Sequence, residues 1–450
     1  MSLEADSVKI VKILLVGAAI ILVAALLVVS GRAAKIPEQE TTGPQPVIPT
    51  PSKRFIPTIS IADAKGWPAG AKPIPASGLA VNAYASGLDH PRWLYVLPNG
   101  DVLVAETDAP PQPKEASGIK GWIFKMALGR AGAATPSANR ITLLRDADGD
   151  GIAETRTTFL RGLNSPFGMA LIGSNLYIAN TDAILRFPYT DGATQITTPG
   201  IKIADLPAGP LNHHWTKSLI ASPNGSRLYV GVGSNSNAGE NGLDKEQGRA
   251  CILEIDPATG SSRVFASGLR NPVGMDWERQ SGVLWTVVNE RDELGSDLVP
   301  DYLTSVKEGG FYGWPFSYWG QHVDDRVEPS DPELVAKAII PDYALGNHNA
   351  ALGLAFSTGT LLPEKYRSGA FIGEHGSWNR IPKSGYKVVF VPFADGRPAG
   401  KPAEVLSGFL SDDNEAFGRP VGVVVDRAGA LLVADDVGRV IWRVTAMARP

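Results

Sequence analysis

Residues 268–315 read GLRNPVGMDWERQSGVLWTVVNERDELGSDLVPDYLTSVKEGGFYGWP. The stretch sets Arg270 and Asn271 ahead of an apolar strand, follows it with a second apolar run over residues 283–288, and then places an acidic cluster and an aromatic-glycine turn. Two polar side chains thus fall at a strand entrance, where a rigid sheet can aim them at a ligand. Arginine offers a planar fork of donors, and asparagine both a donor and an acceptor. That pair suits a flat, oxygen-rich, anionic molecule.

The arrangement returns along the chain. Small or polar residues lead an apolar strand, a turn with Gly or Asn follows, and a second strand ends on a polar residue, in HPRWLYVLPNGDVLVAETD from His90, SPFGMALIGSNLYIANTD from Ser165 and HWTKSLIASPNGSRLYVGVGS from His214. Three more instances start at Asn271, Ala350 and Arg419. Further strands follow the hairpins, among them residues 184–187, 252–255, 388–391 and 440–443. Units of this kind cannot bury both faces alone and must stack around an axis. The expectation is an all-β, six-bladed β-propeller over residues 76–450, with insertions at 108–140 and 292–345 carrying function on one face. Two β-sandwiches would not explain the recurring polar-Pro-x-Gly opening.

The 49 glycines and 35 prolines lie between short apolar strands, as turn residues do. A net charge of −4 without a basic run in the body argues against a nucleic-acid partner. Cys251 is the only cysteine, so no intramolecular disulfide and no cysteine zinc site can form, and its apolar neighbours place it in a buried strand.

Ahead of the repeats, Ile13 to Ser30 is an almost wholly aliphatic run of 18 residues preceded by Lys9 and Lys12. At ~1.5 Å per residue it just spans a bilayer core, which makes residues 1–34 an uncleaved transmembrane anchor in preference to a signal peptide. The body is then exported, into a periplasm where there is one, with the lysines left in the cytoplasm. Residues 35–75, rich in proline and polar groups, read as a semi-rigid tether.

Several residues carry candidate chemistry. His90, His213, His214, His348 and His375 all sit beside a repeat hairpin and so converge on one mouth of the channel. His214 is the candidate general base, since an imidazole can take a proton from a hydroxyl near neutral pH. Arg270, Arg380 and Arg419 lie at blade entrances or loop tips, where together they would bind an anion with several carboxylates or polarise a carbonyl. In DADGDGIAE, Asp146, Asp148, Asp150 and Glu154 crowd hard oxygen ligands onto one turn, which predicts a calcium loop. Position 12 is Thr157, so this is not an EF-hand, and a plain Asp-Gly turn is the other reading. Glu290, Asp292, Glu293 and Asp297 form either a second cation site or a solvated loop. The loop aromatics Phe311, Tyr312, Trp314, Trp319 and Trp378 read mainly as packing within loops. No G-x-S-x-G, H-E-x-x-H or Walker sequence occurs, which removes common hydrolase and nucleotide chemistries.

GLRNPVGM, the acidic ERDELGSD loop, GGFYGWP, EHGSWNR and GRPVGVVVDRAGALLVADD with its closing IWRV, taken in that order, resemble the soluble-type pyrroloquinoline quinone (PQQ)-dependent sugar dehydrogenases, particularly their L-sorbosone dehydrogenase-like members. The resemblance covers roughly residues 75–447. It implies a six-bladed propeller holding PQQ in a top-face channel against calcium, with His214 as base. It also implies Arg270 and Asn271 at the quinone oxygens, and Arg419, Arg380 and His375 around the cofactor. Calcium would act as a Lewis acid on the quinone. Where glucose-oxidising members carry an aspartate before the base and a Gly-Pro at the calcium, this chain has His213 and Asp292-Glu293. The expected reaction is oxidation of a sugar, sugar aldehyde or polyol, with electrons leaving to a membrane quinone or a cytochrome. A calcium-dependent lactonase-type hydrolase and a non-catalytic propeller binding sugar or protein are the alternatives on the same fold.

Overall fold

A computed structural model describes residues 33–52, 58–111, 129, 130, 132 and 135–447. Six antiparallel sheets surround one axis. Blade one comprises Pro91–Val96, Val102–Glu106, Arg140–Arg145 and Thr155–Leu160; blade two comprises Met169–Ile172, Asn175–Ala179, Ala183–Pro188 and Ile201–Asp205. Blade three is Lys217–Ala221, Leu228–Val232, Cys251–Ile255 and Ser262–Ser267. Blade four is Pro272–Trp277, Leu284–Val288, Pro300–Ser305 and Tyr343–Asn347; blade five is Ala351–Phe356, Gly369–Glu374, Lys387–Ala394 and Ala403–Ser407. Blade six takes Pro420–Val425, Leu431–Asp435 and Val440–Ala446 from the end of the chain, and its outer strand Leu79–Ser86 from near the start. The expected six blades are therefore present, and Cys251 is buried at the head of its strand.

The first strands of successive blades touch in a closed ring. The recurring glycine makes that ring possible. A Cβ on Gly168 would lie 2.2 Å from the Leu219 amide nitrogen of the next blade, one on Gly274 2.6 Å from Leu354 N, and one on Gly353 2.2 Å from the Val421 carbonyl. One position earlier, the side chains meet on the axis. Phe167, Trp215, Val273, Leu352 and Val421 form a buried cluster there. Blade one contributes Arg92, whose guanidinium lies 5.8 Å from the centre of the Trp215 ring.

The proline-rich stretch is not a free spacer. Thr42–Gly43 extends the outer strand of blade four, Ile74–Pro75 extends that of blade five, and Asp63–Ala64 pairs with Glu415–Ala416. Trp67 packs against Phe409 and Trp442 and donates to Asp435 Oδ2 at 2.7 Å. Pairing these short strands to the propeller and packing one indole on it gives the segment a docked path, so it is a strap on the propeller. The expected anchor over residues 1–34 lies outside the described residues, apart from Ala33 and Ala34. Among the described residues no helix is long and apolar enough to cross a membrane.

Gly168→Ala drives a methyl into the backbone of the neighbouring blade, and overpacking of this kind costs ~1–3 kcal/mol. Urea unfolding should show a lower midpoint with an unchanged slope, whereas Gly192→Ala, where a Cβ meets nothing within 4 Å, should show only the smaller cost of its positive φ of 75°.

Candidate active site

Each inner strand begins at the same face, and the loops after each second strand end there too, so this face is the mouth of the channel. Two polar walls rise from it around the apolar plug.

The first wall comes from blades three and four. His214 Nδ1 lies 2.9 Å from the Ser234 carbonyl oxygen and 3.0 Å from Ser234 Oγ. Ser234 Oγ donates its own proton to the Ser236 carbonyl at 2.6 Å, so it can only accept from the histidine. The proton therefore sits on Nδ1, which leaves Nε2 as the basic nitrogen. Burial, then Arg270 and His213, push the imidazole pKa well below 6.5. Asn271, 6% exposed, leaves its buried Oδ1 without a hydrogen-bond partner.

Arg270 does not reach out with Asn271, as the sequence reading had it. It is buried and donates to the Asn237 carbonyl and Oδ1, to Asn289 Oδ1, to the Glu290 carbonyl at 2.6 Å and to Asp292 Oδ2 at 3.3 Å. Asp292 also accepts from Asn379 Nδ2 at 2.6 Å and faces His348 Nδ1 at 3.4 Å. Burial would raise the Asp292 carboxyl, but His348 and Arg270 prevail and hold it below its ordinary range. Burial would lower the His348 imidazole, yet Asp292 raises it.

The second wall comes from blades five, six and one. Asp436 Oδ2 accepts from His375 Nε2 at 2.9 Å and from Arg92 Nη1 at 2.9 Å, with His90 Nε2 at 3.6 Å and Asp108 just beyond. Burial works against the Asp436 charge, but His375, Arg92 and His90 hold its carboxyl far below the usual range. His375 is pushed down to about 4, chiefly by burial, so it is neutral at physiological pH. Arg419 lies beside this group, with Nη2 3.2 Å from the Tyr386 hydroxyl and its guanidinium 5.3 Å from the centre of that ring. Buried atoms without hydrogen-bond partners collect here as well: His90 Nε2, Arg92 Nε, Arg419 Nε and Asp436 Oδ1.

The structure thus brings His214, Asn271, His375 and Arg419 to one mouth, ties Arg380 to backbone carbonyls within the loops of that face, and sets the calcium loop on the far face. Arg380, in the loop after Glu374, donates to the Ser296 and Pro382 carbonyls beside the N-terminal strap. The calcium loop joins the third and fourth strands of blade one at the far end of the propeller, where Arg145 next to it pairs with Asp101 of the opposite turn at 2.7 Å. Its four candidate ligand atoms lie within 4.8 Å of one another, the one such group of His, Cys, Asp and Glu among the described residues. The acidic run of blade four makes no cluster of that kind: Glu290 pairs with the buried Arg291, Asp292 with Arg270, and Asp297 receives backbone amides of the strap. Of the loop aromatics, Tyr312, Trp314 and Trp319 are buried as packing residues, and Trp378 is 40% exposed.

Arg92, Asp436, Asp108, Asn379 and Ser234 were not singled out from sequence. Arg92 had a signal. It occupies the axial place that is apolar in every other repeat.

One mouth of a six-bladed propeller thus carries a neutral histidine, buried arginines and buried polar atoms without partners. A family model described as TrAA12-like matches residues 136–303 and 320–447, more than half of the chain, and the chain belongs to that family. A pyrroloquinoline quinone-dependent pyranose dehydrogenase of Coprinopsis cinerea is 26% identical over 298 residues, covering 53% of this chain and 40% of that protein. The aldose sugar dehydrogenase YliI of Escherichia coli is 24% identical over 41% of this chain and 51% of its own length. An uncharacterised protein of Borreliella burgdorferi is 29% identical over 64% of this chain and 77% of that one. Among solved structures, the holo PQQ domain of the Coprinopsis cinerea pyranose dehydrogenase superposes with a TM-score of 0.67 over 86% of this chain and all of that one, at 20% identity. The PQQ-bound aldose sugar dehydrogenase of Streptomyces coelicolor gives 0.53 over 83% of this chain and all of that one, at 18% identity. The relatives with named activities are sugar dehydrogenases.

Asp292→Ala strands Arg270, which is 1% exposed, without the one carboxylate in ion-pair range among the described residues. Losing one partner of such a buried pair costs ~3–5 kcal/mol. Chemical denaturation should show a loss of that size for alanine and a smaller one for Asp292→Asn, which keeps an acceptor for Asn379 and Arg270.

Proposed function

We propose that the protein is a PQQ-dependent dehydrogenase that oxidises a sugar, a sugar aldehyde or a polyol, using His214 as its general base. The single observation that carries the reading is the fixed tautomer of His214, whose Nδ1 proton is held by Ser234, beside an Asn271 Oδ1 that lacks a partner. Family membership supports it.

The residues fit the cofactor. PQQ is a flat polycarboxylate, and the mouth offers Arg419 Nε and Arg92 Nε as donors without partners, with Asn271 available on the opposite wall. When bound, the quinone supplies a two-electron acceptor with calcium as its Lewis acid. The remaining work belongs to the chain. Nε2 of His214 receives the substrate hydroxyl proton, and Ser234 keeps the ring oriented as it does so. Asn271 Oδ1, an acceptor, takes a hydroxyl donor at the reacting face. Arg270, spent on Asn237, Asn289, Glu290 and Asp292, keeps the loop behind that face rigid and adds the positive charge that disfavours a protonated His214 at rest. Trp215, Phe167 and Trp93 close the floor against water from below.

The aliphatic run at Ile13–Ser30 supports an exported, membrane-held enzyme facing a periplasm, whose electrons pass to a membrane quinone or a cytochrome. Asp146, Asp148, Asp150 and Glu154 would hold a separate, structural calcium at the far face.

Two measurements test these assignments. The full chain in detergent, given PQQ and calcium, should bind PQQ stoichiometrically and reduce a dye with sugars or sugar aldehydes. His214→Ala should lower the rate ~10²–10⁴-fold, the usual worth of a general base, while PQQ binding persists. Because the His214 pKa is lowered, its base is free at neutral pH, and the acid limb of the rate profile should fall below pH 6.5. Failure to bind PQQ with calcium present sinks the dehydrogenase reading and turns attention to lactone hydrolysis and sugar binding. Separately, calcium should raise the thermal midpoint of the wild type but not of Asp148→Ala/Asp150→Ala, and that variant should retain PQQ binding. Equal calcium shifts in both proteins would remove the loop as a metal site.

A further inference from the structure

The strap begins at the mouth. Ala34 lies four residues beyond the aliphatic run that ends at Ser30. Its amide donates to the Ile381 carbonyl at 2.6 Å. The next two amides, of Lys35 and Ile36, converge on the Asp297 carboxylate at 2.9–3.2 Å. Ile381 and Asp297 belong to the loops that also carry Asn379 and Asp292, so these contacts lie on the face where the polar walls open. Four residues reach at most ~14 Å even when fully extended. The aliphatic run is therefore leashed to the mouth, on the side opposite the turns at Asn99 and Ala428.

The same face presents apolar groups beside the leash. Ser52 N donates to the Leu294 carbonyl, and Ser60 N, which follows Ile59 in the chain, donates to the Trp378 carbonyl at 2.7 Å, so the strap meets the mouth loops at both points. Trp378 is 40% exposed and Ile59 49% exposed. A part-exposed indole and an exposed aliphatic side chain on one face are the kinds of group that settle at the headgroup level of a bilayer. Single exposed apolar residues occur elsewhere, Ile152 on the far face and Val47 and Ile74 further along the strap among them.

Resting on the reading of Ile13–Ser30 as a membrane anchor, we infer that the mouth face of the propeller lies against the lipid surface, with Trp378 and Ile59 at the interface, and that the calcium loop faces away from the membrane. The cofactor channel then opens toward the membrane, and sugar enters from the side.

The test uses the full chain reconstituted into phosphatidylcholine vesicles that contain nitroxide-labelled lipid. A fluorophore is attached at Trp378→Cys or, on the far face, at Ala428→Cys; Cys251 is 1% exposed and does not compete for the label. Interfacial groups sit within ~5–10 Å of the acyl boundary, so the probe at 378 should be quenched at least about threefold more than the probe at 428. Asp297→Ala releases the first pin of the strap and should narrow that ratio without detaching the protein from vesicles. Equal quenching at the two positions, or stronger quenching at 428, in vesicle-bound protein overturns the orientation and leaves the anchor standing. If the full chain fails to float with vesicles at all, the anchor reading falls and the orientation with it.

Discussion

The structure depends on one pairing made between distant parts of the chain. Leu79–Ser86 lies along Val440–Ala446 and completes the sixth blade, so the ring closes only when residues from both ends of the propeller have met. Everything at the mouth inherits its position from that closure. Asp436, just past the end of the second strand of blade six, reaches Arg92 of blade one and His375 of blade five. Its neighbour Asp435 accepts Trp67 and Trp442 through one oxygen, and the amides of Arg419 and Gly438 through the other. An open ring would scatter these partners across separate edges.

Closure also explains how so many charges can be buried together. Removing a charge from water is expensive, and only good geometry with further hydrogen bonds repays it. Arg270 meets that demand with carbonyl and amide oxygens as well as Asp292, and Arg291 does so with Glu290, Asp324 and the Pro315 and Ser317 carbonyls. The long insertion of blade four supplies part of this. It climbs the outer strand of blade three through Gly309, Tyr312 and Trp314, and so delivers the backbone of the GGFYGWP turn to the mouth. The result is a rigid frame in which a few buried atoms, Asn271 Oδ1 and Asp436 Oδ1 among them, keep no hydrogen-bond partner within the protein.

The propeller was legible because its repeat is local. Hairpin, turn and opening residue all fall within about twenty positions, and the opening glycine answers the close approach of the next blade at Gly168, Gly274, Gly353 and Gly422. Asn271 and Arg419 occupy one place in the repeat, two residues before the axial Val273 and Val421, His214 stands directly before the axial Trp215, and His375 follows the second strand of blade five, so the sequence pattern alone puts all four at blade ends. The direction in which an arginine points was not legible. Arg270 and Arg380 sit in suitable positions along the chain, but their partners, Asn237 and Ser296, come from other loops that meet them only in the closed ring. The strap was missed because its strands are two residues long and carry no alternation. Asp436 was missed because an Asp-Asp pair before a turn reads as a solvated loop until His375 and Arg92 are found beside it.

Arg92 has a consequence for the whole channel. Six similar side chains around an axis present a nearly uniform floor, on which a flat guest could settle in any of several rotations. One cation among five apolar groups breaks that equivalence and gives the channel a single electrostatic bearing, fixed further by the Asp436 carboxylate that holds it. Blade one, which contributes no base, thereby becomes the reference direction from which the positions of His214 and Asn271 acquire a handedness.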